Sequence, residues 1–256
     1  MADILTVSRL ERRFGGNRAV DGASFSVVEG SITGLIGPNG AGKTTAFNCI
    51  SGFLRPDGGS IVFDGDEIAG MAPHRVFHRG LTRTFQIPQE LGAMSVLENL
   101  MLVPARQLGE RSWENWFRPG RVREQERHNQ TRAQSMLEVV DLAALAYDPA
   151  NSLSGGQRKL LELARALMGQ PKLILLDEPS AGVNPTLAVR LAEHIELIRA
   201  DMGVTFLLIG HDMGIIERLC DSVIVMTSGS VLTTGTPAEV LGDSRVQEAY
   251  LGSQYR

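Results

Sequence analysis

The sequence predicts an α/β fold with a mainly parallel sheet core, a small antiparallel β layer and a helical lobe. Three observations lead to this prediction. The apolar run Ile32–Ile36 passes through a glycine-rich loop into a helical segment. Beyond residue 170, short apolar strands alternate with helices, which is typical of a parallel sheet covered on both faces. Between these parts, residues 95–168 carry a helical pattern.

The first part of the chain predicts the antiparallel layer. Strands are expected at Ile4–Leu10 and, after a turn at Asp21-Gly22, at Phe25–Val28. Ser60–Phe63 continues the same pattern. We therefore expect a small β layer beside the strand that leads into the glycine-rich loop.

The middle of the chain predicts helices. A strand at Leu81–Gln86 stops before Pro88, and the segments 94–103 and 131–140 then have helical patterns. The residues in between are unusual, because 106–132 hold seven arginines, four glutamates and both tryptophans.

Within this stretch, Trp113, Trp116 and Phe117 are spaced so that they would share one helix face. That face either packs on the helical lobe or docks on a membrane surface or a partner.

The last part of the chain returns to the α/β rhythm. Thr236 is predicted to cap a late helix, with Pro237 at its first position and Glu239 completing a capping box. The expected strands are Leu173–Leu176, Val204–Ile209 and Ser222–Met226, and the expected helices are Thr186–Arg199 and a short one from Asp212.

Composition excludes several classes. The 25 basic residues nearly balance the 29 acidic ones, so bulk charge does not indicate a nucleic-acid partner. Cys49 and Cys220 lack the spacing of a zinc site or a disulfide framework. No apolar run approaches the ~20 residues that span a bilayer, and no signal-peptide pattern is present. The protein is expected to be soluble, or to reach a membrane by docking.

The glycine-rich loop, called the phosphate loop below, predicts a nucleotide site. Backbone amides of such a loop can surround a phosphate, and the following helix adds the positive end of its dipole. Lys43 would supply a mobile cation and Thr44 a hydroxyl for Mg²⁺. A glycine-rich turn with a solvated lysine is the alternative. The loop consists of Gly37, Pro38, Asn39, Gly40, Ala41, Gly42, Lys43, Thr44 and Thr45.

Two further strands are predicted to end in reactive residues, as ligand sites of open α/β sheets require. Asp177 follows an apolar strand and could hold Mg²⁺ through a water, while the adjacent Glu178 could act as general base. His211 follows another strand. An isolated pair of carboxylates after a strand could instead be helix caps.

The segment Leu153–Gln157 predicts a second anion site. Ser154 and Gln157 form a possible capping box for the helix that follows. However, Gly155 and Gly156 in its first turn would each cost about 1 kcal/mol relative to alanine. Because the phosphate loop already serves its own nucleotide, we infer that this second site serves a nucleotide held by another copy.

These motifs together resemble the nucleotide-binding subunits of ATP-binding-cassette (ABC) transporters, and the likeness covers nearly the whole chain. In that family, residues 37–44 correspond to Walker A, Gln86 to the Q-loop, 153–157 to the signature, 173–177 to Walker B with Glu178 after it, and His211 to the switch histidine. Phe14, before Gly15-Gly16 on a predicted turn, falls at the adenine-stacking position.

Narrower features resemble the branched-chain (hydrophobic) amino-acid importers. They include 83–86, 160–167, 181–185, 210–213, the ending 248–252 and the long insertion in the helical lobe. Asn184 departs from the aspartate usual in the wider family, and Gly210 stands where an acidic residue is expected. The first departure makes doubtful any contact that needs a negative charge, and the second has no evident consequence in the sequence.

The resemblance implies a P-loop ABC cassette that hydrolyses ATP. Lys43 and the loop would bind phosphates, Thr44, Asp177 and Gln86 would serve Mg²⁺, and Glu178 and His211 would be catalytic. Ser154, Gly155, Gly156 and Gln157 would contact ATP in trans in a head-to-tail dimer.

The resemblance also implies a second ATPase subunit, identical or paralogous, transmembrane permease subunits and, indirectly, an extracytoplasmic solute-binding protein, with no nucleic acid. The subunit would lie peripherally at the cytoplasmic face of the membrane. A lipid or lipopolysaccharide exporter subunit and a non-transport ABC ATPase are the alternatives. A GTPase lacks support because no Asn-Lys-x-Asp segment is present, and a non-hydrolysing scaffold would be expected to lack Glu178 or His211.

A single cassette domain is expected to span residues 1–256. Its nucleotide-binding core with the β layer comprises 1–86 and 165–241, and the helical lobe comprises 87–164 with the insertion 104–131. Residues 242–256 form a C-terminal tail. Gln86 lies at the sequence boundary of the lobe, so its engagement with the site could rotate the lobe and move a membrane partner.

Overall fold

The structure is a computed structural model that describes residues 2–84, 90–104, 107–108, 119–210 and 212–251. The chain forms two compact units, residues 1–86 with 172–256 and residues 87–171. The second unit extends beyond 164, the end expected from the sequence, because the helix Gly155–Met168 runs through that position unbroken.

The elements follow the order expected for an α/β chain with a helical insertion. The strands are β1 (Asp3–Phe14), β2 (Asn17–Val28), β3 (Ile32–Ile36), β4 (Gly58–Phe63), β5 (Asp66–Glu67), β6 (Leu81–Arg83), β7 (Leu173–Asp177), β8 (Thr205–Ile209), β9 (Ser222–Thr227) and β10 (Ser230–Gly235). The helices are α1 (Lys43–Ile50), α2 (Pro73–His78), α3 (Val96–Met101), α4 (Pro119–Val139), α5 (Gly155–Met168), α6 (Pro185–Met202), α7 (Met213–Leu219), α8 (Pro237–Gly242) and α9 (Ser244–Leu251).

A six-stranded sheet in the order β10-β9-β3-β8-β7-β6 forms the centre of the first unit. All neighbours are parallel except β10 and β9, so the predicted mainly parallel core is confirmed. Every residue of β3, β7 and β8 is buried, as expected for strands covered on both faces. Ile209 pairs with both Leu35 and Asp177, so these three strands end at the same edge.

A second, antiparallel sheet in the order β2-β1-β4-β5 confirms the predicted β layer. Its first two strands are longer than expected because the turn lies elsewhere. The hairpin turns at Gly15-Gly16, whereas the predicted turn at Asp21-Gly22 is wrong. Gly22, with φ 74°, is an extra residue inside β2, where the register with β1 shifts, and it therefore forms a bulge.

The core of the first unit joins both sheets to α1. Phe47 and Ile50 of α1 are fully buried and belong to one hydrophobic cluster with Phe63 of β4 and Leu35 of β3. The helix that follows the phosphate loop is thus fixed by the burial of large side chains, each of which contributes roughly 1.5–3 kcal/mol.

The second unit contains α3, α4 and α5, which pack on one another, and it confirms the predicted helical lobe. Ser95 caps α3 in a capping box with Glu98. The fully buried Asn99 donates to the backbone oxygens of Leu91 and Ser95 and thereby holds the entry to this helix. Trp113, Trp116 and Phe117, for which a shared helix face was predicted, lie outside the described residues.

The C-terminal part also agrees with the sequence, with additions. Thr236 caps α8 in the predicted capping box. β10 and α9 were not predicted, because their patterns are short and mixed in polarity. No helix in the described parts of the chain combines the length and apolar character needed to cross a bilayer.

Candidate functional site

The phosphate loop lies between α1 and β3, which is one of the two middle strands of the six-stranded sheet. Its backbone requires glycine at two places. A Cβ at Gly37 would lie 2.1 Å from the carbonyl oxygen of Met226 in β9, and one at Gly42 would lie 2.2 Å from that of Ala19 in β2. Both glycines also have positive φ, at 146° and 98°. The loop is therefore supported from behind by backbone atoms.

The start of α1 is built to receive an anion. The residue before the helix is Gly42, which has no side chain to cap the amide groups of the first turn. Since these amides carry the positive end of the helix dipole, a phosphate group is a suitable partner for them. The structure thus brings the loop and the helix amides together as the sequence predicted.

Lys43 lies within this loop, where the two predicted carboxylates interact with it electrostatically. Its Nζ donates to the carbonyl oxygens of Gly37 at 2.7 Å and Pro38 at 2.9 Å. Burial lowers the pKa of Lys43, while the negative charges of Glu178 and Asp177 oppose this shift. The two carboxylates and the ammonium group therefore act on one another electrostatically at one site.

Thr44 and Asp177 provide oxygen ligands of the kind that Mg²⁺ prefers. Thr44 is exposed in the first turn of α1, and Asp177 is 6% exposed at the end of β7. The parts of the chain that the structure describes contain no group of three His, Cys, Asp or Glu suited to a metal. Mg²⁺ fits this arrangement, because it is commonly held by one or two protein oxygens together with nucleotide phosphates.

Arg83 is a further side chain at this site, and the sequence alone does not identify it as functional. Its Nη2 donates to Oδ2 of Asp177 at 2.8 Å, and both side chains are more than nine-tenths buried. Residues 83 and 177 are far apart in sequence, so only the parallel pairing of β6 with β7 reveals the contact.

Glu178 follows Asp177 in a left-handed backbone conformation, with φ 49°. Its amide donates to the carbonyl oxygen of Ile209, and its own carbonyl accepts from Ala181, both at 3.0 Å. Such a conformation costs a non-glycine residue roughly 1–3 kcal/mol, and it changes the direction of the side chain relative to Asp177. The backbone conformation at Glu178 therefore sets the direction of its side chain separately from that of Asp177.

Gln86 and His211, the predicted Q-loop and switch residues, lie outside the described residues. The neighbours of His211 are described. Ile209 ends β8, and Asp212 caps α7 by accepting from the amides of Gly214 and Ile215. The carboxyl end of β8 is thus next to that of β7, as the sequence predicted.

Phe14 ends β1 and leaves 47% of its surface exposed. The guanidinium carbon of Arg12 lies 4.9 Å from the centre of its ring, which is a cation–π distance. Arg12 is itself held by Asp57 at 2.9 Å and by the carbonyl oxygen of Arg55 at 3.0 Å. The ring is therefore supported by a fixed cation and remains accessible.

Ser154 and Gln157 form the predicted capping box at the start of α5. Ser154 accepts from the amide of Gln157, whose side chain accepts from the amide of Ser154. A Cβ added at Gly155 would have no atom of the described residues within 4 Å, and Gly155 does not have positive φ. Packing in the described parts of the chain therefore gives no reason for glycine at this position.

The two departures noted in the sequence have local explanations. Asn184 caps α6 by accepting from the amide of Leu187 at 2.9 Å, and asparagine serves this purpose about as well as aspartate. A Cβ at Gly210 would lie 3.2 Å from Cδ1 of Ile216, so a larger residue would press on α7.

Comparisons with known proteins give a consistent result. The sequence profile of the ABC transporter family matches residues 20–181, and that of the branched-chain amino acid ATP-binding cassette transporters matches residues 230–256. The chain is 41% identical to a high-affinity branched-chain amino acid transport ATP-binding protein of Pseudomonas aeruginosa, with coverage of 97% of this chain and 98% of that relative. It is 42% identical to a probable branched-chain amino acid transport ATP-binding protein of Archaeoglobus fulgidus, with coverage of 98% and 96%.

Solved structures agree with these relatives. The chain is 38% identical to a nucleotide-free ATP-binding cassette from an ABC transporter, with a TM-score of 0.83 and coverage of 97% and 98%. It is also 38% identical to an ATP-binding cassette in its ADP conformation, with the same TM-score and coverage of 98% and 100%.

Proposed function

The chain belongs to the ABC transporter family, and from this premise we propose that it is the ATP-hydrolysing subunit of an importer for branched-chain or other hydrophobic amino acids. The amino-acid link rests on the relatives, and one observation supports the hydrolytic part most. Lys43 in the phosphate loop interacts electrostatically with Asp177 and Glu178, so phosphate-binding, metal-binding and base groups meet at one edge of the sheet.

The nucleotide would be held at two points. The amides of the phosphate loop and of the first turn of α1 would bind the phosphates, with Lys43 moving from the loop carbonyls to the β- and γ-phosphates. The exposed ring of Phe14, supported by Arg12, would stack on adenine.

Thr44, Asp177 and Gln86 would hold Mg²⁺, directly or through water. When bound, Mg²⁺ would neutralise charge that develops on the phosphate oxygens. The chain's part is to place hard oxygen ligands around it, and Asp177 is suited to this because its strand and Arg83 restrict its movement.

Glu178 would accept a proton from the attacking water as general base, and His211 would stabilise the γ-phosphate. The left-handed backbone of Glu178 supports this pairing of roles with Asp177, because in a continued extended strand the side chain of Glu178 would point to the sheet face opposite that of Asp177.

The complete site would require a second ATPase subunit, identical or paralogous. Ser154, Gly155, Gly156 and Gln157 of one subunit would contact the ATP bound by the other. The open space at Gly155 supports this, since a phosphate could approach the backbone there at short distance.

Transmembrane permease subunits would be the other direct partners, with a solute-binding protein acting through them. The chain would then lie at the cytoplasmic face of the membrane. Gln86 lies at the sequence boundary between the two units. When Gln86 binds at the nucleotide site, it would transmit the state of the nucleotide to the helical unit.

The hydrolytic assignment is tested with Glu178→Gln, which removes the base but keeps the size of the side chain. We expect ATP turnover to be abolished and an ATP-bound dimer to accumulate, as measured by phosphate release and size-exclusion chromatography with ATP. Glu178→Gln protein that hydrolyses ATP near the wild-type rate would contradict the role of Glu178.

The transport assignment is tested by recovering the protein from membranes with its partners. A multi-span permease is expected to co-purify, and loss of the gene should abolish uptake of branched-chain amino acids. Recovery of ribosomes or DNA, or loss of lipid export instead of amino-acid uptake, would contradict it.

A further inference from the structure

The strongest unexplained contact at the site is made by Arg83. It ends β6, and its guanidinium reaches Asp177 at the end of the neighbouring strand β7. Both side chains of this pair are almost fully buried, at 8% and 7% exposure. A buried carboxylate needs such compensation, and an arginine supplies a permanent charge in a planar group.

The other side of the guanidinium is fixed by α1 and the turn that follows it. Nη1 donates to Oδ1 of Asn48 at 2.5 Å and to Oγ of Ser51 at 3.3 Å. The rings of Phe47 and Phe53 lie 5.9 Å and 5.8 Å from the guanidinium carbon. Arg83 therefore ties the carboxylate of β7 to the helix that begins with the phosphate loop.

The geometry of the ion pair leaves Asp177 able to bind a metal. Arg83 bonds to Oδ2 only, so the carboxylate retains Oδ1 as a ligand atom. With one oxygen bound to a fixed cation, rotation of the carboxyl group is restricted. Hydrogen-bonding partners of this kind orient metal ligands in other proteins.

We propose that Arg83 is a positioning residue for the Mg²⁺ site: it orients the carboxylate of Asp177 and sets its distance from Thr44 in α1. This proposal rests on the proposed function, in which Asp177 is a metal ligand. Electrostatic competition is the opposing possibility, since a cation beside Asp177 would repel Mg²⁺. The two possibilities predict opposite effects when Arg83 is removed.

The test is the binding of Mn²⁺, as a probe for Mg²⁺, to full-length protein saturated with a non-hydrolysable ATP analogue. Electron paramagnetic resonance reports the Mn²⁺ bound to the protein, so catalysis is not needed. Arg83→Met should weaken Mn²⁺ binding about 10- to 100-fold, which is the usual range for loss of a partner that orients a metal ligand. Arg83→Lys should weaken it less, because it keeps the charge but loses the planar group.

Asn48→Ala supplies a second, milder variant, because it loosens Arg83 without removing the charge beside Asp177. It should weaken Mn²⁺ binding by a smaller factor than Arg83→Met. Arg199→Met is the matched control, since it removes an arginine from the ion pair with Asp221, which is partly exposed. Its Mn²⁺ binding should be unchanged. Each variant should still bind the ATP analogue in EDTA, which removes the divalent metal. This binding verifies that the variant is folded.

The outcomes separate this inference from the function on which it rests. Asp177→Asn should lose Mn²⁺ binding, and wild-type binding in that variant would overturn both the metal site and the role of Arg83. If Asp177→Asn loses binding but Arg83→Met binds Mn²⁺ as tightly as the wild type or more tightly, only the positioning role is overturned. If Arg83→Met does not fold, unchanged binding in Arg83→Lys and Asn48→Ala overturns it equally.

Discussion

Replacing Gly42 by alanine should destabilise the protein more than the same change at Gly40, although both residues have left-handed backbone, with φ 98° and 80°. That conformation costs alanine roughly 1–2 kcal/mol at either position. The added methyl group meets nothing within 4 Å at Gly40, but at Gly42 it lies 2.2 Å from the carbonyl oxygen of Ala19. Since an ordinary contact begins near 3.4 Å, β2 or the loop must move by more than 1 Å.

This forced movement resembles overpacking, which costs about 1–3 kcal/mol. We therefore expect Gly42→Ala to lose about 2–5 kcal/mol of unfolding free energy and Gly40→Ala about 1–2 kcal/mol. Urea unfolding followed by circular dichroism, without nucleotide, measures both. Equal losses in the two variants would refute the reasoning, because they would mean that the contact with Ala19 does not resist the methyl group.

Two further predictions concern helix caps and thiols. Ser154→Ala and Thr236→Ala each remove a capping box and should each lose about 1 kcal/mol of unfolding free energy, but only Ser154→Ala should weaken ATP-driven dimerisation in analytical ultracentrifugation. Weaker dimers of Thr236→Ala, or unchanged dimers of Ser154→Ala, would contradict the assignment in trans. Burial raises the pKa of Cys49 to about 11 and that of Cys220 to about 12, so roughly one thiol in a thousand or fewer is ionised at about pH 8. Ellman's reagent should react with Cys49 and Cys220 only after the protein is unfolded in guanidinium. A thiol of the native protein that reacts as fast as in the unfolded protein would contradict this.

The sequence predicts those parts of the fold whose signals are local. The apolar strands β3, β7 and β8 and the caps at Ser154 and Thr236 follow from residues within a few positions of one another. The prediction of a turn at Asp21-Gly22 is wrong. A Gly that forms a bulge and a Gly that forms a turn carry the same local signal in the sequence.

As with the fold, the sequence predicts only those parts of the candidate site that have local signals. The phosphate loop and the carboxylates after β7 have local patterns, whereas the contact of Arg83 with Asp177 depends on which strands become neighbours. The reason for glycine at position 42 also lies elsewhere in the chain, in the backbone of Ala19. Packing of this kind has no signal in a short window of sequence.

The central position of β3 determines when during synthesis the site can form. β3 ends at Ile36, but its neighbours β8 and β9 begin only at Thr205 and Ser222. The antiparallel sheet, whose last strand ends at Glu67, can assemble early, while β3 leaves the ribosome without either partner. Such distant pairing is slow and exposes apolar surface to aggregation. We therefore expect nucleotide binding only after β9 has been translated, and in that interval β3 is a segment for chaperones to shield.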